Sequence, residues 1–184
     1  MRLFVSVDLP DALADDVASV QERFGGVSGL DPTDPQSVHV TLKFLGEVSE
    51  ARRGRVEDAV AAGVDRAAVE PFEATFGGLG VFPSLDYINV VWLGLRDGGD
   101  DLVTLHEGIE AETTAIGFSP EDHAFTPHVT LGRMRHAGGK ERVQELVRET
   151  DPTVGSMHVD EVRLTESTLT DDGPEYETVA RFPL

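Results

Sequence analysis

Val38-His39-Val40-Thr41-Leu42-Lys43-Phe44-Leu45-Gly46-Glu47-Val48 and Phe125-Thr126-Pro127-His128-Val129-Thr130-Leu131-Gly132-Arg133-Met134 share one tetrapeptide, His-Val-Thr-Leu, at residues 39–42 and 128–131. Each copy alternates polar and apolar residues, the pattern of a half-buried strand. Side chains two apart on a strand share a face. Val40 and Leu42, like Val129 and Leu131, therefore supply a core face. His39 with Thr41, and His128 with Thr130, project from the other.

The flanking pattern repeats as well. Leu3–Leu9 reads as a strand, followed by a helix from Asp11 to about Phe24 that Gly25-Gly26 ends. Val27–Gln36, with two prolines, reads as a loop, and Val38–Leu45 as the first motif strand. A helix from Ser49 carries Val56, Val60 and Val64 inward. Pro71–Phe82 and Tyr87–Leu95 read as strands, and Arg96–Asp101 as a turn. Leu102, Leu105, Ile109 and Ile116 mark a third helix. Thr126–Met134 is the second motif strand, and Lys140–Thr150 a short helix. Met157–Ser167 and Tyr176–Phe182 are the last strands. Each motif strand is thus followed by a helix and two strands. The pattern predicts two related β-α-β-β units in one bilobal α+β domain over residues 1–184, with two antiparallel sheets, flanking helices and a central cleft.

Composition narrows the chemistry. Of 184 residues, 40% are hydrophobic and 27% charged, the balance of a folded domain. Without a cysteine there is no disulfide, thiolate metal site or cysteine nucleophile. The longest apolar run, Tyr87–Leu95, is about half a membrane span, and Asp8 interrupts the opening MRLFVSVDLP too early for a signal peptide. The expected location is the cytoplasm. The net charge is −19, with 34 acidic residues against 15 Lys and Arg, and only Lys43 and Lys140 are lysines. Acids spread along the chain with little lysine fit a halophilic protein. At low ionic strength such a charge opposes a nucleic-acid partner. At about 1 M salt the Debye length is ~3 Å and remote acids no longer repel a phosphate.

If the lobes face each other, two imidazoles and two hydroxyls converge. One histidine alone reads as a packed or solvated side chain; two in matched settings read as a site. Phosphodiester hydrolysis needs a base for water and an acid for the leaving oxygen, placed on opposite sides of phosphorus. Imidazoles with an ordinary pKa near 6.5 serve as both at neutral pH. Threonine hydroxyls can donate to the non-bridging oxygens. Neither copy has two histidines at zinc-ligand spacing, so no metal and no cofactor is expected. Bases gather behind each motif: Lys43, Arg52, Arg53 and Arg55 after the first, Arg133, Arg135 and His136 after the second. Strict alternation puts Arg133 on the face opposite His128, so a bulge near Gly132 is needed to bring it round. His106, His123, His136 and His158, and the aromatics Trp92, Phe44, Phe76, Phe82 and Phe125, read as structural, the aromatics as core, with the cleft entrance as a second place for His123. Gly77-Gly78-Leu79-Gly80 lacks a following Lys-Ser/Thr and reads as a bulge or turn.

These strings resemble the 2H phosphoesterase superfamily, named for paired His-x-Thr-x motifs, and within it the RNA 2′,3′-cyclic phosphodiesterases, also called 2′-5′ RNA ligases. MRLFVSVDLP, VHVTLKFLGEV, GGLGVFPS, VVWLGL, FTPHVTLGR and the C-terminal VDEVRLTES…GPEYETVARFPL carry the likeness over nearly the whole chain. The resemblance implies hydrolysis of an RNA 3′-terminal 2′,3′-cyclic phosphate to a 2′-phosphomonoester, with a possible reverse 2′-5′ ligation. It implies His39 as proton donor, His128 as proton acceptor, and Thr41 and Thr130 on the phosphate. Arg133 is the arginine that follows the second motif in relatives, and Lys43 is a further substrate-binding candidate. The expected partner is RNA with a cyclic phosphate end, bound by a monomer without metal or membrane. Two other readings stand beside it: a phosphodiesterase for small cyclic nucleotides or 2′-5′ oligonucleotides, and a non-catalytic RNA or nucleotide-binding module.

Overall fold

The computed structural model describes residues 1–184. Its strands are β1 (Arg2–Asp8), β2 (Leu30–Pro32), β3 (His39–Glu47), β4 (Phe72–Ser84), β5 (Tyr87–Asp97), β6 (Val129–Met134), β7 (Thr153–Val159), β8 (Glu161–Thr170) and β9 (Gly173–Pro183). The helices are α1 (Asp11–Glu22), α2 (Arg53–Ala67), α3 (Gly99–Ala115) and α4 (Lys140–Glu149). All strand pairs are antiparallel, in the order β7-β4-β5-β6-β3-β1-β8-β9, with β2 also on β6.

The motif strands β3 and β6 lie at the centre of this order. They touch through a single residue pair, Val40 with Val129. The two expected sheets are therefore halves of one ladder, fused at one rung. The first lobe holds β3, β1, β8 and β9, the second β6, β5, β4 and β7.

The two lobes are not consecutive units, which corrects the simple repeat reading. β4 and β5 follow the first motif but pair with β6. The predicted strand Met157–Ser167 is two strands that part at Asp160, with β7 on β4 and β8 on β1. Val159 and Val162 are both buried and three apart, a spacing that one continuous strand facing one core cannot hold. Alternation identifies a strand but carries no information about its partner, so the exchange was not legible.

Smaller differences have local causes. The stretch read as a loop contains β2 and a 3-10 turn, Pro35–Ser37, capped by Asp34 accepting from the Gln36 N–H. The turn before α3 is shorter than expected because the helix begins at Gly99. The Gly77-Gly78 stretch is a bulge in β4, with Gly78 at φ +80°.

A core of 32 buried apolar side chains runs through both halves. Leu3, Val5 and Val7 of β1 and Val91 and Leu93 of β5 contribute their core faces. α2 and α3 pack on each other so closely that a Cβ on Gly108 would lie 2.3 Å from the Gly63 carbonyl oxygen. α3 also packs on β3, and α1 on β7. The helices thus cover one face of each half and leave the motif side chains on the other.

Candidate active site

Antiparallel pairing of Val40 with Val129 fixes the neighbourhood. Continued by one residue each way, that register sets His39 against Thr130 and Thr41 against His128. The four polar side chains occupy the corners of one patch, all of them half-buried. Diagonal neighbours on such a ladder lie about 7–8 Å apart, room for a phosphate between the imidazoles.

Both histidines are held in the same way. His39 Nδ1–H donates to the Ser37 carbonyl at 2.8 Å, and His128 Nδ1–H donates to the Thr126 carbonyl at 2.7 Å. A carbonyl only accepts, so each Nδ1 carries a proton and each Nε2 is left for chemistry. Burial pushes both imidazoles below their ordinary pKa, against the opposing effect of those carbonyl bonds.

The remaining neighbours differ. Asp8 stands opposite His39 on β1, and its charge pulls the His39 pKa upward. The Asp8 carboxylate accepts from Ser6 Oγ at 2.8 Å and from Arg163 at 2.9 Å. His128 feels Arg133 and His39 instead, and both push it further down. Arg133 reaches this face because β6 is bulged. Gly132 pairs with Val91 and Thr130 with the next residue, Trp92, leaving Leu131 as the extra residue. The bulge that alternation required is therefore present. β3 carries the same device at Leu42, between Thr41 on Ser6 and Lys43 on Val5.

That second bulge sends Lys43 inward, correcting its reading as a substrate contact. Its side chain is buried, donating to Glu110 at 2.9 Å and to the Ser119 carbonyl at 2.6 Å. Burial would push the Glu110 carboxyl up, but bonds from Lys43 and the Glu121 N–H hold it below its ordinary value. Lys43 thus ties β3 to α3 and to the segment leading to His128. Arg52 is likewise structural, donating to the Ile116 carbonyl and lying over the Phe118 ring. Arg53 pairs with Glu57 and Arg135 with Asp31.

Aromatic rings flank both histidines. Phe4 stacks on His39 with centroids 4.9 Å apart, and Tyr176 meets the same imidazole edge-on at 5.4 Å. Phe82 meets His128 edge-on at 4.9 Å, and Trp92 lies 6.0 Å from it. Trp92 and Phe82, expected in the core, belong to the site instead. The signal was present: Val91 and Leu93 take the core face of β5, so Trp92 between them must face the other way. Its indole lies across Gly80, where a Cβ would sit 2.1 Å from the ring. Phe44, also read as core, is 65% exposed. Phe76 is core as expected. His106 is buried, bonded to the Leu42 carbonyl and stacked on Phe125, while His123, His136 and His158 lie at the surface, each with a local partner.

Beside His39 a groove of about 740 Å³ runs between Asp8, Ser37, Asp160, Arg163 and Tyr176. No helix is long and apolar enough to cross a membrane.

Residues 9–171 match the family model of the 2′-5′ RNA ligase superfamily. The chain belongs to that superfamily. An RNA 2′,3′-cyclic phosphodiesterase of Methanothermobacter thermautotrophicus is 36% identical over 186 residues, covering 100% of this chain and 99% of the relative. One from Archaeoglobus fulgidus is 34% identical over 183 residues, with 99% of each chain covered. Among solved structures, a Thermus thermophilus protein superposes with a TM-score of 0.80 at 29% identity, over 100% of this chain and 98% of that one. E. coli LigT in complex with 3′-AMP gives 0.79 at 26% identity, over 100% and 97%. The resemblance read from the motifs is thereby shown, and the bilobal 2H α+β architecture with it.

Proposed function

We propose that this superfamily member hydrolyses the 2′,3′-cyclic phosphate at an RNA 3′ end to a 2′-phosphomonoester, without a metal. One observation carries the reading: two identically tethered imidazoles and two threonines share one face at the only rung between the lobes. The phosphodiesterase activity named for the archaeal relatives supports it.

The roles follow from the charges. Asp8 favours a proton on His39 against the burial that opposes it, and His39 donates that proton from Nε2 to the departing 3′ oxygen. His128, beside Arg133, is the one kept neutral, and its Nε2 takes the proton from water as the oxygen attacks phosphorus. The bond from phosphorus to the 3′ oxygen breaks and the bond to the 2′ oxygen remains. Thr41 and Thr130 hold the non-bridging oxygens, and the Arg133 guanidinium balances the charge that gathers there. With a 5′ hydroxyl in the place of water, the same proton transfers form the bond from that oxygen to phosphorus, release the 3′ oxygen and leave a 2′-5′ diester, the possible 2′-5′ ligation.

A short RNA ending in a 2′,3′-cyclic phosphate tests this in high salt with EDTA. The wild type should yield the 2′-phosphate. His39→Ala and His128→Ala should each lose about 10²–10⁴ in kcat. Activity abolished by EDTA and restored by a divalent ion would overturn the two-histidine mechanism. Turnover of free cyclic nucleotides alone would move the substrate to small molecules, and binding without turnover would leave a recognition module.

A further inference from the structure

Resting on that reading, we propose that Phe44, Tyr176 and Arg2 form a strip on the first lobe that holds the nucleotide preceding the cyclic end of a single-stranded RNA.

The strip is set by register. Phe44 stands opposite Phe4, and Phe4 opposite Thr165. In the next row Arg2 stands opposite Ser167, and Ser167 opposite Tyr176. Leu169 and Pro174 face each other one row further out. These positions share the face that carries His39. The strip is continuous with the reacting group, since the Phe4 ring lies 4.9 Å from His39, 5.4 Å from Tyr176 and 6.2 Å from Phe44.

Its surface is unusual for this chain. Phe44 is 65% exposed, Leu169 81% and Tyr176 38%. Phe44 follows a bulge that turns its ring out of the core, although Leu42 and Leu45 on either side are buried. In a protein of charge −19, three carboxylates of this hairpin are turned away from it, while Glu161 and Asp8, which share its face, are held by Arg163. Glu166, Glu175 and Glu177 alternate with Ser167 and Tyr176 and so occupy the opposite face. Glu47 shares the row of Arg2 but turns to the terminal ammonium, 3.6 Å away. Arg2 makes no ion pair, and its charge and that of Arg133 both act on the Tyr176 phenol.

Exposed rings beside unpaired guanidinium groups, where the nearby carboxylates are paired elsewhere or turned away, match a base-stacking platform with a phosphate contact. The occupant is single-stranded, because a base must leave its duplex stack to lie on a ring. The strip begins beside His39, the imidazole assigned to the 3′ oxygen, so the chain leading to that oxygen is what reaches it.

The test compares a 5′-labelled trinucleotide ending in a 2′-phosphate with the matching mononucleotide, binding read by anisotropy and by competition. The wild type should bind the trinucleotide about tenfold more tightly. Phe44→Ala and Arg2→Ala should each remove most of that preference, and Phe44→Tyr should restore it. Only the Arg2 contribution should fade with salt. The matching cyclic phosphates should show the same change in the ratio of kcat/KM values. Equal wild-type affinities, equal weakening of both ligands, or a dimer dissociated by Phe44→Ala would each overturn the strip; the last would assign it to a second copy of the chain. Preference for the trinucleotide without hydrolysis of either cyclic phosphate would sink the hydrolase reading and leave the strip standing.

Discussion

Superimposing the motif strands on each other sets unlike residues at like positions. The third residue after the threonine is Phe44 in β3 and Arg133 in β6, both carried outward by a bulge one residue past the threonine. The partner opposite the threonine is Ser6 in one lobe and Trp92 in the other. The residue after the bulge is Lys43, buried on Glu110, against Gly132, packed under Leu30 and Asp31. The tethers on Nδ1 are the same; the charges near the rings are opposite in sign, Asp8 for His39 and Arg133 for His128. Shared backbone geometry makes a pair of similar imidazoles. Unlike neighbours then give the pair a direction, an acid side and a base side, which a symmetric cleft would lack.

That polarity can be broken from either side. Arg133→Ala should lower kcat/KM on a cyclic mononucleotide by about 10², the size of losing one donor to developing charge. It should also move the acid limb of the pH profile upward, since the cation that held His128 low is gone. Phe44→Ala should cost far less on that substrate; an equal loss would mean that the lobes are not divided in this way.

Lys43→Met should act on stability. It leaves the half-buried Glu110 carboxylate without its cation, a loss of about 3 kcal/mol, or a fall in Tm of roughly 6–12 °C for a chain of this size. Calorimetry reads it, and Lys43→Met with Glu110→Gln should recover part. An unchanged Tm would reopen the reading of Lys43 as a surface contact.

Asp8→Asn sharpens the comparison more gently. Asp8 raises the His39 pKa, so its removal lowers it, and the acid needed for catalysis loses its proton at lower pH. The alkaline limb of kcat/KM should therefore shift to lower pH while the acid limb, set by His128, stays. A shift of both limbs, or of neither, would contradict the assigned roles.

The smallest effect is global. Raising KCl from about 0.1 M to about 1 M shortens the Debye length from ~10 Å to ~3 Å. With a net charge of −19, Tm should rise over that range. A flat or falling Tm would remove the halophilic reading.

The repeated tetrapeptide made much of the site legible. Period-two alternation puts His39 with Thr41, and His128 with Thr130, on the polar face of each motif strand, and the Val40–Val129 rung joins the two faces. It also required the bulge that Arg133 shows. The same rule, applied to β5, points Trp92 into the cleft, against the core setting that its aromatic character suggests. Lys43 and Phe44 exchange places, one inward and one outward, because a one-residue bulge at Leu42 shifts their phase before a second irregularity at Leu45 shifts it back. Nothing in the composition of that strand marks the bulge. The exchange of strands between lobes depends on pairings across more than a hundred residues, beyond the reach of a local pattern.

That exchange has a consequence for how the molecule folds. Cut after Gly117, the chain would leave β1 and β3 without β8, and β4 and β5 without β6 and β7. Neither piece could close its own half, so neither lobe is complete until the last strands are in place.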